Sequence, residues 1–160
     1  MCGRCGIDKK TLERFAPFAF LPLRLAIGAI FFAHGAQKLF GWFGGSGLTQ
    51  TIANFREYLG IPAFWTVIAV LTEFLGGILV ALGAATRPAA LGLAMVMLVA
   101  IFKVHLLNGF FMNWFGIPGQ GHGIEYNLAL LAGCVTLILG GAGCLSLDHR
   151  FCEHSHSERN

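Results

Sequence analysis

The chain alternates between long apolar runs and short breaks rich in glycine, proline or charge. Four runs, near Phe18 to Phe40, Pro62 to Ala85, Pro88 to Phe110 and Ile124 to Gly143, carry few charges over their whole length. A helix needs about 20 residues at a rise of about 1.5 Å to cross about 30 Å of hydrocarbon, and each run reaches that length. A strand of a membrane barrel would take about ten residues of alternating polarity, and none of the runs alternates. The pattern predicts an all-α fold, a bundle of four transmembrane helices. In the first long break, Ile52-Ala-Asn-Phe-Arg-Glu-Tyr-Leu59 has apolar residues at helical spacing, which predicts a short helix lying in the interface. Pro62 starts the second run where a missing amide costs little, and Thr86-Arg-Pro88 makes a tight turn between the second and third.

Composition strengthens the membrane assignment. Of 160 residues, 56% are hydrophobic and 12% charged, with a mean hydropathy of +0.69, which excludes an ordinary soluble domain. Residues 18–143 form one membrane domain between two tails, 1–17 and 144–160. The net charge of +3 is not gathered beside aromatics in a soluble patch, so nucleic acid is excluded as a partner and the lipid bilayer takes its place. The basic residues do carry topology. Arg4, Lys9, Lys10 and Arg14 precede the first run and Arg87 lies between the second and third, whereas the loop before the fourth has no Lys or Arg. The positive-inside rule puts both termini in the cytoplasm, and Trp42, Trp65 and Trp114 then fall at the outer boundary as an aromatic belt. The basic start followed by an apolar run is not a cleaved signal, because the run is too long and contains Arg24.

Polar residues inside these runs are the candidate chemistry, since lipid rejects them and they normally face a protein interior. At about 100° per residue, Arg24, His34 and Lys38 fall within an arc of about 80° on the first helix. Lys38 lies near the outer headgroups, where its side chain can snorkel, and the short His34 cannot. His34 is either a reactive group or a neutral histidine satisfied by a carbonyl. Glu73 lies about 16 Å from the outer start of the second helix, where a carboxylate must be protonated or paired. Arg24, about 9 Å from the inner edge, is the expected partner by depth. On the third helix Lys103 and His105 point to opposite sides, and His105 is the interior candidate. A loop from Asn108 to Gly123, ending in Gly-Gln-Gly-His122-Gly, predicts a lid or a hydrophobic dip into the interface, with Glu125, Tyr126 and Asn127 beneath it.

An internal repeat links these residues. Ala29-Ile-Phe-Phe-Ala-His34 returns as Ala100-Ile-Phe-Lys-Val-His105, Gly60-Ile-Pro62 as Gly116-Ile-Pro118, and Glu73-Phe as Glu125-Tyr. Three echoes in one order point to two parallel two-helix halves, with His34 and His105 facing each other at one depth. Outside the runs, Cys2 and Cys5 form a CxxC pair, and His149, Cys152, His154 and His156 crowd the other tail. Together the tails hold the ligand types of one tetrahedral zinc-like site, the alternative being two solvated tails with incidental ligands. Cys134 and Cys144, in or near the fourth run, are by default inert thiols.

Arg24 to Lys38 with its His-Gly-x-x-Lys ending, Glu73-Phe-Leu-Gly-Gly-Ile-Leu-Val-Ala-Leu-Gly followed by Thr86-Arg, and the later His105 and Glu125 together resemble the DoxX family of small four-helix membrane proteins. The resemblance covers about Leu21 to Asp148 and not the tails. It implies a bacterial plasma-membrane subunit with a quinone- or thiol/sulfur-linked redox role, related to the small subunit of a thiosulfate:quinone oxidoreductase, and a protein partner carrying the redox centre. On that reading His34 and His105 bind a quinone or carry protons, Glu125 and Glu73 relay protons, and Arg24 and Lys38 set the local potential. Two other classes stay open: a non-catalytic anchor for a redox partner, and a small-molecule or metal transporter, which with four helices would need a homo-oligomer.

Overall fold

The computed structural model describes residues 8–150 of the chain. Cys2, Cys5, Cys152, His154 and His156, the expected ligands of a tail metal site, lie outside these residues. Among the described residues the regular structure is all helical. A short helix α1 (Lys9–Phe15) leads through a 3-10 turn into α2 (Phe20–Phe40), followed by α3 (Gly47–Leu59), α4 (Ala63–Leu82), α5 (Thr86–Ala100) and α6 (Glu125–Gly140). The first three apolar runs, with α5 continuing through Asn108, are long and apolar enough to cross a membrane, and α6 is a shorter apolar helix.

Two of the expected boundaries shift, each for a local reason. The third apolar run stays helical to Asn108, but its regular α-helix ends at Ala100; a π turn occupies Ile101–His105 and a 3-10 turn Leu106–Asn108. The fourth helix stops at Gly140 instead of Gly143, because Gly141, at φ 75, leaves the helical path. The short helix expected over Ile52 to Leu59 forms as α3, longer at its start, and its buried Thr51 hydroxyl bonds the Gly47 carbonyl at 2.7 Å.

The helices pack as two antiparallel pairs, α2 with α4 and α5 with α6, joined chiefly where α4 meets α5. This is the pairing that two two-helix halves require. Small residues set the closest approach. A Cβ on Gly77 would sit 2.5 Å from the Phe32 amide nitrogen, and one on Gly28 would sit 2.7 Å from the Gly77 carbonyl oxygen. Helices in lipid gain little from hiding apolar surface from one another, so this close backbone contact carries much of the pairing. The core behind it is apolar, with Ile27, Phe31, Val80, Leu93, Leu130 and Leu137 buried together. Large apolar side chains such as Leu25, Phe64, Leu75, Leu91 and Leu139 face outward, as a lipid-facing surface requires.

The α2–α4 contact yields the first prediction. Gly77→Val should lower unfolding stability in detergent by about 1–3 kcal/mol through overpacking against backbone. Leu139→Ala, on the exposed face, should stay within about 0.5 kcal/mol of the parent. Equal losses in the two variants, read by denaturant titration, would contradict the packing account.

Candidate functional site

A cavity of about 420 Å³ lies between the helices at the end of the bundle away from Arg24. Each helix contributes to it by simple periodicity. Phe31, His34 and Lys38 come from one face of α2, Glu73 from α4, and Met97 and Ala100 from successive turns of α5. His105 enters from the π turn, and Tyr126, Asn127 and Leu130 from the start of α6. Met112, His122 and Gly123 of the loop between α5 and α6 line one side of it. The two histidines paired by the internal repeat therefore line one chamber.

Glu73 is the charge at its wall. The carboxylate is 3% exposed and accepts both its bonds from Lys38, whose Nζ lies 2.6 Å from Oε1 and 2.5 Å from Oε2. Phe55 of α3 places its ring 6.0 Å from the same ammonium, at the outer limit of a cation–π contact. This corrects the expected Arg24–Glu73 pair and the expected escape of Lys38 to the headgroups. The cause is helix register. Gly35 lies against Phe74 and Gly28 against Ala81, so Lys38 comes within a turn of Glu73 and Arg24 comes level with the turn after α4. The depth argument had set the helices flush at their ends, and α4 begins well beyond the end of α2.

Arg24 instead ties the opposite end together. It is 2% exposed and donates to the carbonyls of Ala142 at 2.9 Å and Leu145 at 2.7 Å, capping the chain after α6. Gly83 must be glycine there twice over, because its φ is +67 and a Cβ would lie 2.5 Å from Arg24 Nη1. Asp148 completes the knot. Its carboxylate accepts the amides of Ala85 at 2.7 Å and Thr86 at 2.9 Å at the start of α5, and its own amide donates to Gly83 at 2.8 Å. Sequence reasoning gave Asp148 no role, since a lone aspartate after the last helix has no pattern to mark it.

The roof is fixed by hydrogen bonds of its own. His105 Nδ1 lies 2.7 Å from the His122 carbonyl oxygen. A carbonyl only accepts, so Nδ1 carries a proton and Nε2 is the ring nitrogen left for another partner. Asn108 donates to the same carbonyl at 3.2 Å. Gly121 and Gly123 let the loop pass this close: a Cβ on Gly121 would lie 2.4 Å from Asn108 Nδ2, and one on Gly123 would lie 2.6 Å from three loop carbonyls. Glu125 is not on the cavity surface; its carboxylate accepts the Met112 amide at 3.1 Å and anchors the loop to α6. The segment Asn108 to Gly123 is thus a fixed cover, and His122, Tyr126 and Asn127 join the site from it and from beneath it. Lys103 faces away from this cavity, as its position two residues from His105 predicts.

Comparison with known proteins agrees with this architecture. The family model for DoxX matches residues 19–106, which carry Arg24, His34, Lys38, Glu73 and His105. The chain belongs to the DoxX family. CatD of Bacillus subtilis, provisionally named an oxidoreductase, is 34% identical over 128 residues, covering 80% of this chain and 83% of that protein. An uncharacterized membrane protein of Mycobacterium tuberculosis is 32% identical over 91% of this chain and 89% of its own length. The inner membrane protein YqjF of Escherichia coli is 26% identical over 86% of this chain and 95% of its own. No solved structure matches the chain.

The pairing at the cavity wall is open to direct measurement. Lys38→Met should destabilise the protein by about 3 kcal/mol by leaving a buried carboxylate unpaired, and adding Glu73→Leu should recover most of that loss. A double-mutant cycle should give a coupling above about 1 kcal/mol for Lys38 with Glu73 and within about 0.5 kcal/mol of zero for Arg24 with Glu73. The reverse order of couplings would restore the depth-based pairing.

Proposed function

We propose that this chain is the membrane subunit of a redox system and that its histidine-lined cavity takes the head of a lipid-soluble quinone. The observation that carries the reading is one chamber, open on one side, lined by His34 and His105 from separate helices, with a half-buried ion pair in its wall. Its volume of about 420 Å³ lies in the range of small-molecule sites. Its lining mixes apolar side chains such as Phe31, Met97 and Leu130 with a few hydrogen-bonding groups, which suits a flat ring bearing two carbonyls. A bound quinone supplies two-electron, two-proton chemistry, with the electrons exchanged through a protein partner.

The chain's own groups divide the remaining work. His105, held at Nδ1 by the His122 carbonyl, offers Nε2 to one side of the chamber, where it accepts a proton or, once protonated, donates one. His34 makes no hydrogen bond among the described residues and sits one turn from Lys38, so its ring is free to bond a second ligand oxygen. Lys38 and Glu73 hold opposite charges at the wall, and proton movement through His34 leads toward that pair. Arg24 serves the fold at the opposite end, and Glu125 serves the cover.

The positive-inside rule favours the cytoplasm for the end of the bundle near Arg14 and Arg87, so on this proposal the chamber lies toward the outer face of a bacterial plasma membrane. CatD, provisionally named an oxidoreductase, is the relative whose name favours redox work. Short-chain quinone binding to the full chain in lipid nanodiscs tests the reading by titration calorimetry. The parent should bind, and His34→Ala and His105→Ala should each weaken binding by roughly tenfold, the effect of losing one good hydrogen bond. An absence of binding to the parent, or unchanged affinity in both variants, would make the chain an anchor for a partner that holds the chemistry.

A further inference from the structure

A second, larger space of about 580 Å³ lies on the outside of the bundle, between α4 and α5 and under the end of α3. Its walls are mostly apolar, with Phe55 and Leu59 from α3, Trp65 and Ile68 from α4, and Met95 and Val99 from α5, and Lys103 is the one further charged residue on its lining. One end is different. Lys38, Glu73 and Ala100 line this groove and also line the histidine chamber. The two spaces are therefore neighbours through a single partition, made of one ion pair and one methyl group.

We propose that the groove is the seat of the apolar chain of the same lipid-soluble carrier whose head occupies the histidine chamber, and that the Lys38–Glu73 partition is where head and chain join. The inference rests on the reading given under Proposed function and adds a binding subsite to it. The shared wall fixes the occupant. An amphiphile lying in the groove with its polar end inward meets the half-buried Lys38–Glu73 pair, which lines both spaces, and the next polar surface beyond it is the chamber of His34 and His105. Lys38 suits such a junction, because its side chain is 28% exposed whereas that of Glu73 is 4% exposed, so the ammonium can contact a passing carbonyl without leaving the carboxylate. Ala100 matters for its size, since a larger residue there would wall off the chamber. A phospholipid acyl chain fits the apolar walls as well, but its charged head belongs at the membrane surface and gives no reason for the groove to end on a buried pair.

The test compares two quinones with one head, one bearing a long alkyl chain and one a methyl group, against the full chain in nanodiscs. Concentrations are expressed as mole fraction in the lipid, so that simple partitioning of the long chain does not count as binding. The long-chain compound should bind at least tenfold more tightly. Val99→Trp and Ala69→Phe, two independent plugs of the groove, should remove that advantage and leave the methyl compound within about twofold of the parent. A photoreactive group at the chain end should label α4 and α5 around Trp65 and Met95. If the head binds but the long chain adds nothing, or the plugs leave its advantage intact, the inference fails while the proposed function stands. If the plugs instead displace copurifying phospholipid and leave both quinones unaffected, the groove is a lipid site and the inference likewise fails. If neither quinone binds the parent, both readings fall.

Discussion

The ion pair between Lys38 and Glu73 is the constraint from which the rest of this bundle can be argued. A carboxylate in the interior of a membrane protein costs several kcal/mol unless it is neutralised or paired. Pairing it with a lysine from a neighbouring helix fixes the register of α2 against α4, because the ammonium reaches only a turn or so. That register places Gly28, Gly35 and Gly77 in the seam, where any side chain would meet backbone. Close helix contact and charge pairing thus support one another. The helices can approach because the seam is glycine, and the pair stays intact because the helices are close. Helix α3 adds the ring of Phe55 near the ammonium on the side facing away from the chamber.

Arg24, buried, and Lys38, partly exposed, are two basic residues of α2 that show how context decides what a charge does. Arg24 carries a planar fork of donors and ends among carbonyls left without partners where α6 finishes, which is a geometry a guanidinium satisfies well. Lys38 is a compact point charge on a flexible stem, and it meets a carboxylate. Asp148 balances the Arg24 end by bonding the first amides of α5, so the turn after α4, the start of α5 and the chain after α6 are bound in one polar cluster. The chamber with its histidines occupies the other end. The bundle is thus tied together by polar contacts at one end and open at the other.

Much of this was legible in the sequence, for reasons that also explain what was not. Four apolar runs without alternation fix helices, because only helices satisfy every backbone group inside lipid without a closed sheet. The repeated A-I-F-x-x-H motif brought His34 and His105 to one chamber, because equal positions in equivalent helices reach equal depths. Depth alone could not identify partners. It measures distance along one axis and assumes helices flush at their ends, so it matched Glu73 with Arg24 when the offset between α2 and α4 selects Lys38. His122 and the anchoring role of Glu125 depend on the path of a glycine-rich loop, and Asp148 depends on a chain reversal after α6; neither leaves a periodic signal. The boundary at Ala100 was hidden too, since an apolar π turn has the same composition as the helix it interrupts.

The repeat also has a chemical consequence. Two histidines at equivalent positions would be expected to behave alike, yet their surroundings break the symmetry. The ring of His105 is tied by Nδ1 to the loop, so its tautomer and orientation are set before any ligand arrives. The ring of His34 has no such tie among the described residues, and its near neighbours are the charged groups Lys38 and Glu73 rather than a carbonyl. One histidine is therefore fixed in orientation and the other an adjustable group beside a charge pair. A symmetric ligand with two equivalent oxygens, placed between them, would meet two unlike sites. On the proposed function, that asymmetry would let two protons be handled in sequence, one by the ring tied to the loop and one by the ring that can turn toward the wall.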